Sequence, residues 1–273
     1  VNEAASINYS AAGKAFDRVA GTYDEVFTYS AIGQAQRKQV WERLLEVFAP
    51  GERVLELNCG TGEDARFLAE RGRRIVACDA SAAMIEVAET RRKREEGGGE
   101  ITFLRLANEE LASLPLERPF DGAYSNFSGL NCVQDLGPIA RALASLVRPG
   151  GHVVMCLWSR VCAWEVAWYL VRGEGKKAFR RLSGKSTARV GGVRIEIWYH
   201  AVRELQRAFA PWFALERRRA VGLFVPPSYA EKWARGHERT LRAFEGWDGV
   251  FAGLPILRDL GDHVLLEFTR CNP

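Results

Sequence analysis

The chain has 273 residues, of which 47% are hydrophobic and 26% charged, with a net charge of +4. This is ordinary globular composition, enough for one sizeable core and a smaller subdomain. The basic runs Arg91–Arg94 and Arg217–Arg219 sit beside Glu95, Glu96 and Glu216, which makes them solvated faces and argues against a nucleic-acid surface.

In chain order, two helical segments open the sequence, at 12–28 and 32–48. In the second, Val40, Leu44, Leu45 and Val47–Phe48 form an apolar stripe, and Pro50-Gly51 ends it. A strand at 53–57 (RVLEL) then runs through a glycine turn into a helix at 62–71. A strand at 74–78 (RIVAC) ends at Asp79, Ser81 caps a helix at 82–95, and the glycines at 97–99 break it. Strand 101–106, a loop with a short helix, strand 120–125, helix 135–147 and strand 151–158 continue the series. Strands alternating with helices predict βαβ units and a parallel sheet covered on both faces.

After Trp158 the rhythm changes. Residues 160–185 read as helical and aromatic-rich, and 187–198 as a hairpin around Gly191-Gly192. A helix at 201–210 precedes strand 213–224. Residues 228–258 are expected to be helical with breaks near Gly246 and Gly253, and 263–269 (HVLLEFT) is the last strand. The fold expected is α/β: a Rossmann-like, doubly wound seven-stranded sheet with an antiparallel edge hairpin, N-terminal helices and a helical and hairpin lid. The division expected is 1–48 as a cap, 49–158 as the core, 159–200 as the lid, and 201–273 as the rest of the core with a helical excursion at 228–258.

The six cysteines show no CxxC spacing and histidine is scarce, so neither a zinc site nor a disulfide framework is expected. Cys59, Cys78 and Cys156 read as small buried side chains. No apolar stretch reaches membrane-spanning length, and the opening VNEAASINYSAAGK lacks a signal-peptide core. The setting expected is soluble, reducing and cytoplasmic, with Val1 following a trimmed initiator.

The stretch VLELNCGTGED (54–64) carries the first chemistry. Gly60 and Gly62 let the backbone turn sharply beside a ligand, and the next helix offers free N–H groups. Asp79, seventeen residues beyond Gly62, ends the next strand, where a carboxylate can take both hydroxyls of a ribose. The pair reads as a nucleoside site. Gly60-Thr61-Gly62-Glu63-Asp64-Ala65 also fits the dinucleotide pattern G-x-G-x-x-G/A. A pyrophosphate disfavours neighbouring acids, whereas Glu56, Glu63 and Asp64 suit a cationic ligand such as the sulfonium and ammonium of S-adenosylmethionine. Glu63 and Asp64 are equally well read as first-turn acids complementing the helix dipole; Glu56, ending a buried strand, has no such explanation.

Further segments join this one: FDRVAGTYD (16–24), VACDASAAMIEVA (76–88), FDGAYSNFSGLNCV (120–133), LVRPGGHVV (146–154) and LGDHVLLEFTR (260–270). Together they resemble the ordered motifs of class I S-adenosylmethionine-dependent methyltransferases, the broad kind that includes ubiquinone/menaquinone-biosynthesis and biotin-pathway enzymes. The resemblance implies methyl transfer from S-adenosylmethionine, leaving S-adenosylhomocysteine. It implies donor contacts from Phe16, Tyr23, Glu56, Asn58, Cys59 and Gly60, and from Gly62, Asp79, Ala80, Met84, Asn108 and Asn126. Asn58 departs from the small residue usual there, and LANEEL (106–111) leaves Ala107 or Asn108 as the adenine contact, Asn108 being preferred. Tyr23 is read either as closing over the donor or as packing the N-terminal helix.

Methyl transfer from a sulfonium needs chiefly proximity and alignment, with a base only where the acceptor loses a proton. The candidates are His200 and Tyr199, following the hairpin, with His200 read in the first place as a helix-entry residue packing beside Tyr199. His152 and His263 read as structural, and His237 as exposed in mid-helix. Asn126 and Asn131 flank the fourth-strand loop, where they could orient an acceptor. Trp164, Trp168, Trp198, Tyr199, Phe224, Tyr229 and Trp233 predict a small, partly apolar acceptor, although most of them must also be core and at most three or four would line a pocket. Neither the amide-methylating N-P-P-Y signature nor a metal-binding set of acids is present. No metal, nucleic acid or membrane insertion is expected, and the chain is read as a monomer or homodimer. O-, N-, C- and S-methylation remain equally open. The alternatives are a non-catalytic S-adenosylmethionine-binding protein and, behind it, a nicotinamide-dependent oxidoreductase.

Overall fold

A computed structural model describes residues 11–94, 99–115 and 117–272. The start of the opening segment (1–10) and Gly97-Gly98 of the glycine break lie outside them. Helix α1 covers 11–17, and after a turn a π-helical segment Asp24–Thr28 leads to α2, Ala31–Val47. Ser30 caps α2, its Oγ accepting from Gly33 N at 2.9 Å. The first helix is therefore not continuous over 12–28.

The alternating section comprises β1 (Arg53–Leu57), α3 (Glu63–Ala69), β2 (Arg74–Asp79), α4 (Ala82–Arg94) and β3 (Ile101–Arg105). It continues through β4 (Phe120–Ser125), α5 (Gly137–Leu146) and β5 (Val147–Trp158). Ser81 caps α4 through Oγ, which accepts from Met84 N at 3.1 Å. The insertion holds α6 (Ala163–Val171), α7 (Gly175–Ala178) and the hairpin β6 (Lys185–Val190) with β7 (Val193–Trp198). The chain ends with α8 (Val202–Phe209), β8 (Phe213–Val221), α9 (Glu231–Ala234), α10 (Glu238–Phe251) and β9 (His263–Arg270).

The main sheet has the order β3-β2-β1-β4-β5-β9-β8, with β9 antiparallel to both neighbours and the other strands parallel. The expected fold class is observed, edge hairpin included. Alternate strand residues feed two cores. Leu55, Leu57, Ala123, Val153 and Met155 pack with α5 and α8, while Val54, Ile75, Tyr124 and Val154 pack with α2 and α3. Phe48, at the end of α2, is 1% exposed in the second core, so its truncation to Ala would cost about 3–5 kcal/mol.

Three expectations change. The stretch 160–185 is broken at Gly173, whose φ of +72° ends α6. Strand β8 stops at Val221 because Gly222 turns with φ +68°. The helix over 228–258 breaks at Gly236 rather than Gly246; α10 passes through Gly246, where Leu241 and Phe244 hold the helix against α2 and outweigh the roughly 1 kcal/mol preference for Ala. Among the described residues no helix is long and apolar enough to cross a membrane.

Candidate donor and acceptor site

Parallel strands β1 and β4 are neighbours whose connections leave in opposite directions, and the crevice beyond their carboxyl ends is the usual ligand position in such sheets. A cavity of about 310 Å³ occupies it. Its floor is the turn Asn58–Thr61, the end of β2 at Asp79-Ala80, and Asn126–Gly129 after β4. Its roof is Ala12, Gly13 and Phe16 of α1 and the inner face of the hairpin at Ala188, Val190, Ile195 and Ile197. The two roof parts are fastened together: Arg18 Nη1 donates to Gly191 O at 3.2 Å, and a Cβ on Gly191 would lie 2.6 Å from Arg18 Cβ.

The two turn glycines have different tasks. Gly60 (φ +54°) has open space where a Cβ would stand, so a ligand can approach its backbone. Gly62 (φ +77°) does not line the cavity; a Cβ there would lie 2.7 Å from the Phe103 ring, so it serves close packing of α3 on the sheet. Asp79 accepts from Gly60 N at 2.9 Å through Oδ2 and from Ser81 N at 2.8 Å through Oδ1. Burial pushes its carboxyl up, and those two N–H groups oppose the shift. Asn58 takes a left-handed φ of +58°, which Asn tolerates better than most residues, and its Oδ1 accepts from Ser125 Oγ at 3.2 Å.

The acids around the turn are not all available to a cation. Asp64 is paired with Arg37 at 2.5 Å and also accepts from Trp41 Nε1 and Asn126 Nδ2. Glu63 is paired with Arg66 and Arg91. Their negative charge is met inside the protein. Glu56 differs: it is 1% exposed, its Oε2 has no hydrogen-bond partner, and burial, reinforced by Asp64, pushes its carboxyl well up.

Of the residues expected at the donor, Phe16, Tyr23, Asn58, Cys59, Gly60, Asp79, Ala80, Met84 and Asn126 line the cavity. Glu56 and Asn108 lie buried away from its lining, Asn108 Nδ2 also without a partner. The catalytic candidates fall outside. His200 Nε2 lies 3.0 Å from Val133 O, and Tyr199 is buried between the hairpin and α1 with its hydroxyl 3.2 Å from Ser186 Oγ. Both are held by packing because β7 delivers them to the hairpin's root rather than its inner face. Asn131 is a strap as well, donating to Trp198 O and accepting from Trp158 N.

The predicted aromatic lining is likewise elsewhere. Trp164, Phe224 and Trp233 pack with Phe244 and Trp247 of α10, and Trp168 stands against Tyr229. The cavity wall is instead a belt of successive ring contacts: Phe16–Tyr23, Tyr23–Phe27, Phe27–Phe127, Phe127–His263 and His263–Trp158. His263, read from the sequence as structural, is among the residues that line the cavity. It begins β9, and β9 runs antiparallel, so its first residue lies level with Trp158, the last of β5. The antiparallel direction expected for that strand was the signal that could have placed it.

Residues 54–151 match the family described as methyltransferase domain. The chain is 32% identical over 173 residues to malonyl-[acyl-carrier protein] O-methyltransferase of Serratia marcescens, covering 62% of each chain. It is 32% identical over 145 residues to demethylmenaquinone methyltransferase of Clavibacter sepedonicus, covering 53% of this chain and 56% of that one. Both matches span less than two thirds of the relative's length. In fold it is similar to the CcbJ methyltransferase from Streptomyces caelestis, with a TM-score of 0.62 and 16% identity over 94% of this chain and 98% of that one. The glycine turn, the strand order and the matched segment agree in pointing to a methyltransferase domain, which the match places at residues 54–151.

Proposed function

We propose that the chain binds S-adenosylmethionine over the β1–α3 turn and methylates a small, partly apolar molecule held in the remainder of the same cavity. The observation that carries this reading is Asp79 beside the open backbone of Gly60. Each Asp79 oxygen takes one backbone N–H and keeps acceptor capacity for a ribose hydroxyl. Ala80 and Met84 offer apolar walls next to it for an adenine ring. Glu56 lies buried with an unpartnered oxygen, and a cation bound at the turn would favour the charged form that burial disfavours.

The donor, when bound, supplies a methyl group already activated on a sulfonium. The protein's share is alignment and exclusion of water. Phe16, Tyr23 and Phe27 close one side, and Ile195 and Ile197 the other. A protein that only sensed the donor would have no use for the chamber that continues past Asn126 to Trp158 and His263.

Calorimetry with S-adenosylhomocysteine and with NADH tests the donor assignment. Binding of the first and not the second is expected; the reverse result would sink the reading. A screen of small molecules with label in the donor methyl then identifies the acceptor.

A further inference from the structure

The part of the cavity farthest from Asp79 contains one side chain that the donor reading does not use. His263 is 3% exposed and lines the cavity between Phe127, edge-on at 5.5 Å, and Trp158, stacked at 6.3 Å. Its Nδ1 has no hydrogen-bond partner and lies 3.6 Å from Asp262 Oδ2. Asp262 is fixed from behind: its Oδ1 accepts from Arg181 Nη2 at 2.8 Å and its Oδ2 from Gln36 Nε2 at 3.4 Å. Arg181 is itself held by Glu165. Burial holds the His263 ring down to about 4, with Asp262 opposing the shift and Arg181 adding to it. The imidazole is neutral at pH 7 and able to accept a proton.

Resting on the donor reading above, we propose that His263, backed by Asp262, receives the proton of the methyl acceptor, and that the acceptor is an aromatic hydroxyl compound. The flanking groups select that class. A carboxylate acceptor would seek a cation, but Arg37 is paired with Asp64, and Arg181 with Glu165 and Asp262. An ammonium would seek a carboxylate, and Asp64 and Asp262 are committed to those arginines. A neutral hydroxyl needs only the neutral His263 ring to take its hydrogen, and a flat ring suits walls made of Phe127, Trp158, Ile195 and Ile197.

In the step, a lone pair of the hydroxyl oxygen forms a bond to the methyl carbon as the carbon–sulfur bond breaks. Sulfur keeps that bond's electron pair and becomes a neutral thioether. The O–H electrons stay on oxygen, and the proton passes to the His263 ring. The imidazolium formed faces Asp262 and loses its proton to water as products leave. A weak base suffices, because oxygen becomes strongly acidic as its bond to carbon forms.

The test uses the full chain loaded with S-adenosylhomocysteine and the probes 1-naphthol and 1-methoxynaphthalene. Calorimetry should show the naphthol binding about tenfold tighter than its ether, one hydrogen bond's worth. Ring signals of His263 in wild-type protein should shift with naphthol and not with the ether. His263→Phe keeps a packed ring; it should retain S-adenosylhomocysteine affinity, lose the preference for naphthol, and slow methylation of naphthol about 100-fold or more. Equal binding of the two probes, no binding of either, unmoved His263 signals, or an unchanged methylation rate in His263→Phe would each overturn the inference while leaving donor binding intact. Failure of S-adenosylhomocysteine to bind wild-type protein would instead remove the donor reading and this one with it.

Discussion

The backbone N–H of Gly60 donates to Asp79 Oδ2 at 2.9 Å, so the last residue of β2 holds the glycine turn that follows β1. The same carboxylate takes Ser81 N through its other oxygen. Asp79 thus shapes the turn, and in the function proposed above it also presents oxygens to a ribose. Asp79→Asn should lose about 1.5–3 kcal/mol of S-adenosylhomocysteine affinity, roughly ten- to a hundredfold. It should also lower folding stability by about 1 kcal/mol through the weakened turn contact. Calorimetry and urea unfolding check the two effects; a variant that loses stability alone would show Asp79 to be only a turn former.

Glu56 gives a trade of stability against binding. Its carboxyl is raised by burial, so the unfolded chain binds fewer protons there than the folded one above the ordinary carboxylate range. The stability contributed is therefore present at low pH and lost as pH rises through the folded-state value. Glu56→Gln should raise Tm at pH 8 by about 2–4 °C while weakening S-adenosylhomocysteine binding about tenfold. Thermal scans from pH 5 to 8 should show the gain growing as pH rises.

The N-terminal cap is latched to the donor floor by two acids. Asp17 Oδ1 accepts from Ser81 Oγ at 2.6 Å and from Ala83 N at 3.1 Å; Asp24 is paired with Arg91 and accepts from Thr61 Oγ1 at 2.7 Å. Asp17→Ala should weaken S-adenosylhomocysteine binding about fivefold, the worth of one capping interaction near 1 kcal/mol. Hydrogen exchange over 11–30 should slow on ligand binding in wild type and much less in the variant. Identical exchange in both would assign these contacts no part in ligand retention.

His263 makes stability depend on pH in a defined window. Its ring is held near 4 when folded and near 6.5 when unfolded, so between those values the unfolded state carries more protons and stability rises with pH. The span is worth up to about 3 kcal/mol. In His263→Phe the slope of unfolding free energy between pH 4 and 6.5 should be shallower than in wild type. Equal slopes would mean that the ring titrates freely.

The strands, the antiparallel edge hairpin and the glycine turn were legible because they depend on local signals. The glycine turn, Asp79 and the cap of α4 at Ser81 each follow from residue type and short spacing. The roof and the acceptor side were not, since they depend on which distant segments meet. Acid content around the turn suggested a free negative field; only the fold shows Arg37 and Arg91 arriving to pair with Asp64 and Glu63. His200 looked well placed by adjacency to the hairpin, yet β7 points it at Val133 O, while His263 gains its position from strand direction. Trp164 of the insertion packs on Phe244 of α10 and Trp168 on Tyr229, a use that composition cannot distinguish from lining a pocket.

The belt of rings from Phe16 to Trp158 has a kinetic consequence. It begins at Phe16, passes beside the turn where the donor is proposed to bind, and ends on His263 and Trp158, which wall the proposed acceptor side. The two sides therefore share one wall, and in the function proposed above the acceptor's side is expected to take its final shape once the rings of Phe16 and Tyr23 are seated. Binding should be ordered, with the sulfonium compound first and its partner second, and the departing thioether last to leave. Initial-rate inhibition should then show S-adenosylhomocysteine competing with the donor alone, and turnover should be limited by the cap's release rather than by bond exchange.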